Sequence, residues 1–212
     1  MKTWVLILYS IGQSQRGQGD KKDGRVMPSP IGHGFTGVLL LIIRYRVEQW
    51  RQLLCHWRQI CLFVFLAIFP DVDLFNPQLG RFDLDSPFHH QWTHSFSFAL
   101  LIGLVVVLVR RIASNQWDWR LGGWSTLVVS SHTVLDLFFS NKLPGMPVFL
   151  PFSSYPVMLP VHFYYFWDEE GIFTYANFFK FLAEIVFGFA LIALLLQYYS
   201  RRRTKSRVGT MR

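Results

Sequence analysis

The chain has 212 residues, 51% of them hydrophobic, 17% aromatic and 16% charged, with 21 phenylalanines and a formal net charge of +8. The apolar content excludes a disordered chain, two cysteines exclude a disulfide scaffold, and the positive mean hydropathy is too high for an ordinary soluble domain of this size. The charge sits at the ends: residues 1–26 carry five Lys/Arg against two acids and the tail from Ser200 carries six and no acid, which leaves −1 on the body. No basic nucleic-acid-binding face is therefore expected on the body, and a membrane protein with basic flanks is.

Residues 1–26 hold one short apolar run, Trp4–Tyr9, and then a polar stretch. A signal peptide needs a longer apolar run and a small-residue cleavage site. The segment reads as a disordered leader or a mis-assigned start, with Met27-Pro28 as the natural beginning. Residues 27–199 read as one membrane-embedded domain and residues 200–212 as a basic cytoplasmic tail.

Five apolar segments follow in order: Phe35–Ile43, Gln59–Phe69, Ser95–Val109, Leu121–Ser140 and Phe178–Tyr199. The last holds 22 residues with only Lys180 and Glu184 charged, and it ends at Tyr198-Tyr199 before Arg201-Arg202-Arg203. That length crosses a hydrocarbon core of roughly 30 Å, and the tyrosines suit the interface. If the five segments cross alternately, Arg44, Arg46, Arg51, Arg58, Arg110, Arg111, Arg120 and the C-terminal arginines share one side. The opposite side then holds His33, Asp71, Asp73, His89, His90, His94 and Asp136. By the positive-inside bias the arginine side and the C-terminus are cytoplasmic. From His33 to Arg44 is about 16 Å of helix and from His94 to Arg110 about 24 Å, so the polar residues lie in or near the outer half of the bilayer. Ionisable groups at that depth line a wet cavity or bind a metal. The expected fold is all-α and polytopic, about five hydrophobic helices with a His/Asp cluster toward one membrane face. The competing reading makes the shorter segments core helices of a partly soluble domain tethered by the last one. Residues 141–177, with prolines at 144, 147, 151, 156 and 160, cannot be one helix and suit a membrane-interface lid over the polar cavity.

His132 and Asp136 are four apart and project from one face of a helix. Imidazole and carboxylate are ligands for zinc, manganese or iron, and a pair at this spacing reaches a common ion. His33, Asp73, His89, His94, His132 and Asp136 are the candidate ligands, with Asp71 as bridging ligand or general base. Thr93 and Ser95 are candidates to fix a ligand's tautomer, and Glu184 lies one turn inside the last helix on the same side. Cys55 and Cys61 fall on the arginine side, away from this set. Taken singly, Asp71 and Asp73 could cap a turn after Pro70, and His132/Asp136 could be a hydrogen-bonded structural pair.

Met27-Pro28 with His33-Gly34, Pro70-Asp71-Val72-Asp73, His89 to Thr93-His94-Ser95, His132-Thr133-Val134-Leu135-Asp136 and Pro151-Phe152-Ser153 together resemble the YdjM-like family over about residues 27–199. The resemblance implies a bacterial inner-membrane protein, of a family partly under LexA control, acting as a metal-dependent hydrolase. The family pattern has His-Arg-Gly before Thr-His-Ser, where this chain has His89-His90-Gln91. A charge-stabilising role at that place therefore falls to His90 as a cation, if to any residue. The order of an early His, an Asp, a His and a later His-x-x-x-Asp is also similar to the zinc-dependent phospholipase C and P1-type nuclease fold. That likeness implies a phosphoester substrate, lipid-linked or a membrane lipid itself. The alternative function is an intramembrane metal-ion or proton transporter. The five segments hold no charge between the His/Asp level and the arginines, which favours an enzyme with access from one side.

Overall fold

The computed structural model describes residues 29–76, 81–82, 91–139, 145–159 and 175–209. Each of the five apolar segments is overlaid by a helix, and local capping chemistry sets where the helices begin and end. Helix α1 (Pro30–Tyr45) starts at Ser29, whose Oγ accepts from the backbone N–H of Ile31 and Gly32, with Pro30 at the first position where no N–H is needed. It stops at Arg46, which takes the left-handed conformation at φ 51°. A six-residue helix α2 (Trp50–Cys55) leads into α3 (Trp57–Ile68). Pro70 lacks an N–H, so α3 gives way to a 3-10 segment over Phe69–Leu74. Two residues on each side, β1 (Phe75–Asn76) and β2 (Arg81–Phe82), pair antiparallel. A second 3-10 turn (Trp92–His94) leads into α4 (Phe96–Ser114), capped by Ser95 at its start and by Asn115 at φ 57° at its end. Asp118 Oδ1 accepts from Leu121 N–H at the start of α5 (Trp119–Phe139), and α6 (Tyr175–Gly209) completes the chain.

Helices α1, α3 and α5 each pack on the other two, with α4 outside α5 and α6 outside α1. Leu41, Ile42, Phe63, Ala67, Val128 and Val129 fill the centre at or near zero exposure, joined by Ala99 from α4 and Ile192 from α6. Two glycines let α4 and α5 approach closely: a Cβ on Gly103 would lie 2.8 Å from the Gly122 carbonyl oxygen, and one on Gly122 would lie 2.9 Å from that of Gly103. Small residues at a helix–helix contact are the usual device of membrane bundles, where dispersion and close packing replace the hydrophobic effect.

Among the described residues, the two outer helices are the ones long and apolar enough to cross a membrane, over Phe96–Ser114 and Phe178–Thr204. Both turn large apolar side chains outward, including Leu100, Leu104 and Val109 on α4 and Phe179, Val186 and Phe187 on α6. The buried core helix of a soluble domain would hide such residues, so this exposure weighs against the tethered-domain reading. The helix ends that carry arginine meet at one end of the bundle. The Arg44 guanidinium reaches the Arg120 carbonyl at 3.5 Å, and Arg203 pairs with Glu48 at 2.7 Å. Aromatics accompany them: Arg58 lies over Trp57, Arg111 over Trp117 and Arg202 over Tyr198.

Of the Pro-rich connection, residues 145–159 are described and form a hairpin-like loop closed by mutual backbone hydrogen bonds between Met146 and Val157. Gly145 sits at φ 100°, and a Cβ there would meet the Val157 carbonyl oxygen at 2.6 Å, so the position needs glycine. The expected leader at 1–26 and the rest of the connection lie outside the described residues.

Candidate metal centre

Four separate segments bring six of the expected side chains to one place. His33 comes from the first turn of α1, Asp71 and Asp73 from the first 3-10 segment, His94 from the second, and His132 and Asp136 from one face of α5. His33, His94, His132 and Asp136 are at most 1% exposed. The side chains of Asp71 and Asp73 are 11% and 7% exposed and form the accessible edge.

Asp136 lies at the centre. Its Oδ1 is 3.3 Å from His33 Nε2, and its Oδ2 is 3.1 Å from both His94 Nε2 and His132 Nε2. Asp71 Oδ1 adds a contact of 3.3 Å to His132 Nε2. The rings of His33 and His132 stack with centroids 3.7 Å apart, and His94 meets His132 edge-on at 4.9 Å. Two sets of three ligand atoms result, His33/Asp71/His132 and His94/His132/Asp136, each within 4.8 Å.

The tautomers follow from the outer partners. A carbonyl only accepts, so His132 Nδ1–H donates to the Ala67 carbonyl at 2.6 Å. That carbonyl is available because α3 ends at Ile68 and its last carbonyls have no intrahelical donor. On His94, Nδ1–H donates to Asp73 Oδ2 at 3.2 Å, and the Thr93 hydroxyl donates to the same carboxylate. Both Nε2 atoms therefore carry lone pairs. They face each other at 3.2 Å and both point at Asp136 Oδ2. Acceptors gathered this way require a cation between them, either protons or a metal. Burial by itself would lower the His94 pKa, but hydrogen bonds to Asp136 and Asp73 outweigh it and hold the pKa above the ordinary value. His33 Nδ1 and Asp71 Oδ1 are buried without a hydrogen-bond partner. The mixed imidazole and carboxylate set, its compactness and these uncompensated acceptors fit a divalent ion.

The structure sets the two acids apart, with Asp71 in a ligand set, as a bridging ligand would be, and Asp73 outside one. Asp73, expected among the ligands, stands behind His94 at Nδ1, and Asp71 is the one that joins a ligand set. Carboxylate–histidine pairs of this kind orient a ligand and raise its basicity. Thr93 takes the tautomer-fixing place expected of it. Ser95 does not: its hydroxyl accepts from Phe98 N–H and donates to the Trp92 carbonyl, which caps α4. Glu184 accepts from the Ser29 hydroxyl and so ties α6 to the cap of the helix that presents His33. His89 and His90 lie outside the described residues. Cys55, Cys61 and His56 stand apart from the cluster; the cysteines are exposed and His56 stacks on Tyr45. The Ala67 carbonyl had no signal in the sequence, because it is a backbone group freed by a helix end.

The profile of the family described as YdjM inner membrane protein matches residues 27–205. The chain belongs to that family. Searches of curated proteins and of solved structures find no match. The YdjM match spans every element that supplies a side chain to the His/Asp cluster, and it fits the two apolar helices. This YdjM-family chain is thus a membrane protein with a buried His/Asp cluster able to hold a metal ion.

Proposed function

We propose that this YdjM-family protein is a metal-dependent hydrolase of the bacterial inner membrane that cleaves a phosphoester or similar bond in a membrane lipid or lipid-linked substrate. The observation that carries this reading is the inward convergence of His94 Nε2, His132 Nε2 and Asp136 Oδ2, with Asp71 at the accessible edge. His33, His94, His132, Asp71 and Asp136 would hold one or two ions. Asp136 has the geometry to bridge, since its two oxygens address different histidines. Zinc, manganese and iron all accept such a set. A bound divalent ion would supply Lewis acidity, polarising the oxygen of the scissile bond and acidifying water.

The chain's own residues supply orientation and proton transfer. Ala67 and Asp73 hold the two imidazoles with Nε2 inward, and Thr93 holds Asp73. Asp71 is the carboxylate placed to take a proton from an incoming water at the open edge. Leu41, Ile42, Phe63, Val128 and Val129 are fully buried in one apolar cluster, which offers no polar side chain to a translocation path. Five crossings, by α1, α3, α4, α5 and α6, with the cluster on the periplasmic side and the basic tail in the cytoplasm, complete the reading.

Metal content of detergent-purified protein tests it. One or two equivalents of zinc, manganese or iron are expected, lost in both His94→Ala and Asp136→Asn. A folded, membrane-inserted protein without metal would overturn the hydrolase reading.

A further inference from the structure

The loop 145–159 exposes apolar side chains that water does not favour. Phe152 is 88% exposed and Tyr155 76%, and Phe149 joins them at 51%. The loop is nevertheless firmly seated. Phe96 N–H donates to the Val148 carbonyl at 2.9 Å, the Phe96 and Phe149 rings lie 5.8 Å apart, and Met146 and Val148 pack against Leu137. Phe96 is two residues from His94 and Leu137 is next to Asp136, so the loop is fixed beside two of the segments that form the His/Asp cluster. Helix α4, which starts beside the loop at Phe96, also turns Leu100, Leu104 and Leu108 outward.

The length of α4 places this surface. The helix runs 19 residues from Phe96, about 28 Å at the helical rise, and near its far end Arg111 lies over Trp117, which stacks on Trp119. Arginine paired with tryptophan marks a headgroup boundary, and the hydrocarbon core is about 30 Å thick. If the Arg/Trp end of α4 lies at one interface, the loop at its other end lies at the opposite one. Phenylalanine with a nearby tyrosine hydroxyl and Pro151 is a composition that sits at the boundary of headgroups and acyl chains.

We infer that the 145–159 loop is an interfacial anchor inserted in the leaflet on the site side, and that the His/Asp centre beside it takes amphiphilic substrates directly from that leaflet. The second half rests on the hydrolase reading above; the first does not.

The test replaces Cys55 and Cys61 with serine and places single nitroxide labels at Phe152→Cys, Leu104→Cys and Trp117→Cys in full-length protein in phosphatidylglycerol/phosphatidylethanolamine nanodiscs. Collision rates with oxygen and with a water-soluble nickel chelate then give depth. At position 152, oxygen collisions should exceed nickel collisions, at a depth between those of 104 and 117. A label that collides freely with nickel overturns the anchor. So does one shielded from both reagents, which would mean that a protein partner or a second copy covers the loop. The substrate half is read separately, as hydrolysis of phospholipid vesicles against a water-soluble p-nitrophenyl phosphodiester. Phe152→Ser/Tyr155→Ser should lower vesicle hydrolysis about tenfold, as expected from losing two partly inserted aromatics, and leave the soluble substrate unaffected. Equal loss on both substrates, or on neither, overturns leaflet entry. A wild type inactive on both overturns the hydrolase reading, and the depth measurement still decides the anchor.

Discussion

Asp136 presents its two oxygens to different histidines and so touches His33, His94 and His132 at once. Asp136→Asn keeps the shape and one oxygen acceptor but removes the negative charge that balances the ion. Metal per folded molecule should fall to near zero by mass spectrometry, while the membrane-inserted yield stays close to wild type. Thr93 acts one step further out. Its hydroxyl holds Asp73, which holds His94, so Thr93→Val should weaken metal affinity by about 10- to 100-fold, the usual cost of an outer partner. Thr93→Ser should restore it, which a chelator competition titration would show. Much of this cluster was legible in the sequence, because His33, His94 and His132/Asp136 each sit at the same end of an apolar run. The division of labour between Asp71 and Asp73 was not. In a 3-10 turn of three residues per turn, side chains two apart point about 120° away from each other, and an Asp-x-Asp string does not announce its turn type.

At the scale of elements, apolar runs and caps decide most of the chain. All five apolar segments became helices because each is long enough to bury or expose a continuous greasy face and is bounded by serine, proline or arginine. Helix α2 carries no mark in the sequence, since six residues containing Arg51 and Gln52 have no apolar period. The seating of the 145–159 loop was equally hidden, because it depends on a backbone bond to Phe96 and on a glycine with positive φ. The α4–α5 contact gives a prediction with its own control. Gly103→Ala forces a methyl group to 2.8 Å from a backbone oxygen, and a neighbouring helix cannot yield as a side-chain tip would. The cost should be about 1–3 kcal/mol, the usual penalty of overpacking. Gly123→Ala, on the partner helix α5 and with nothing within 4 Å of the new methyl, should leave thermal unfolding in detergent unchanged or slightly raised. Equal destabilisation by both would show that the close approach at Gly103 is not the cause, since helix propensity by itself favours alanine over glycine.

The whole molecule has two unlike ends, and this polarity yields the prediction about orientation. At one end the arginines of α1, α5 and α6 converge with Tyr198, Trp57 and Trp117 around them. At the other, α1, α5 and the two 3-10 segments present the His/Asp cluster. Positive charge flanking apolar segments is retained on the cytoplasmic side during insertion, and five crossings would put a tail that follows Arg201-Arg202-Arg203 on that side as well. A green fluorescent protein fused after Arg212 should therefore fluoresce, and an alkaline phosphatase fused there should be inactive. Alkaline phosphatase inserted after Ser154, in the exposed loop, should be active. A last helix α6 that does not cross would make both phosphatase fusions agree, because the loop and the tail would then share a compartment. A fully inverted protein would exchange all the signals and put the metal centre on the cytoplasmic side, where its substrate would come from the inner leaflet. The pair of fusions thus separates whether α6 crosses from the direction in which it does, and the direction decides which side of the membrane the His/Asp cluster faces.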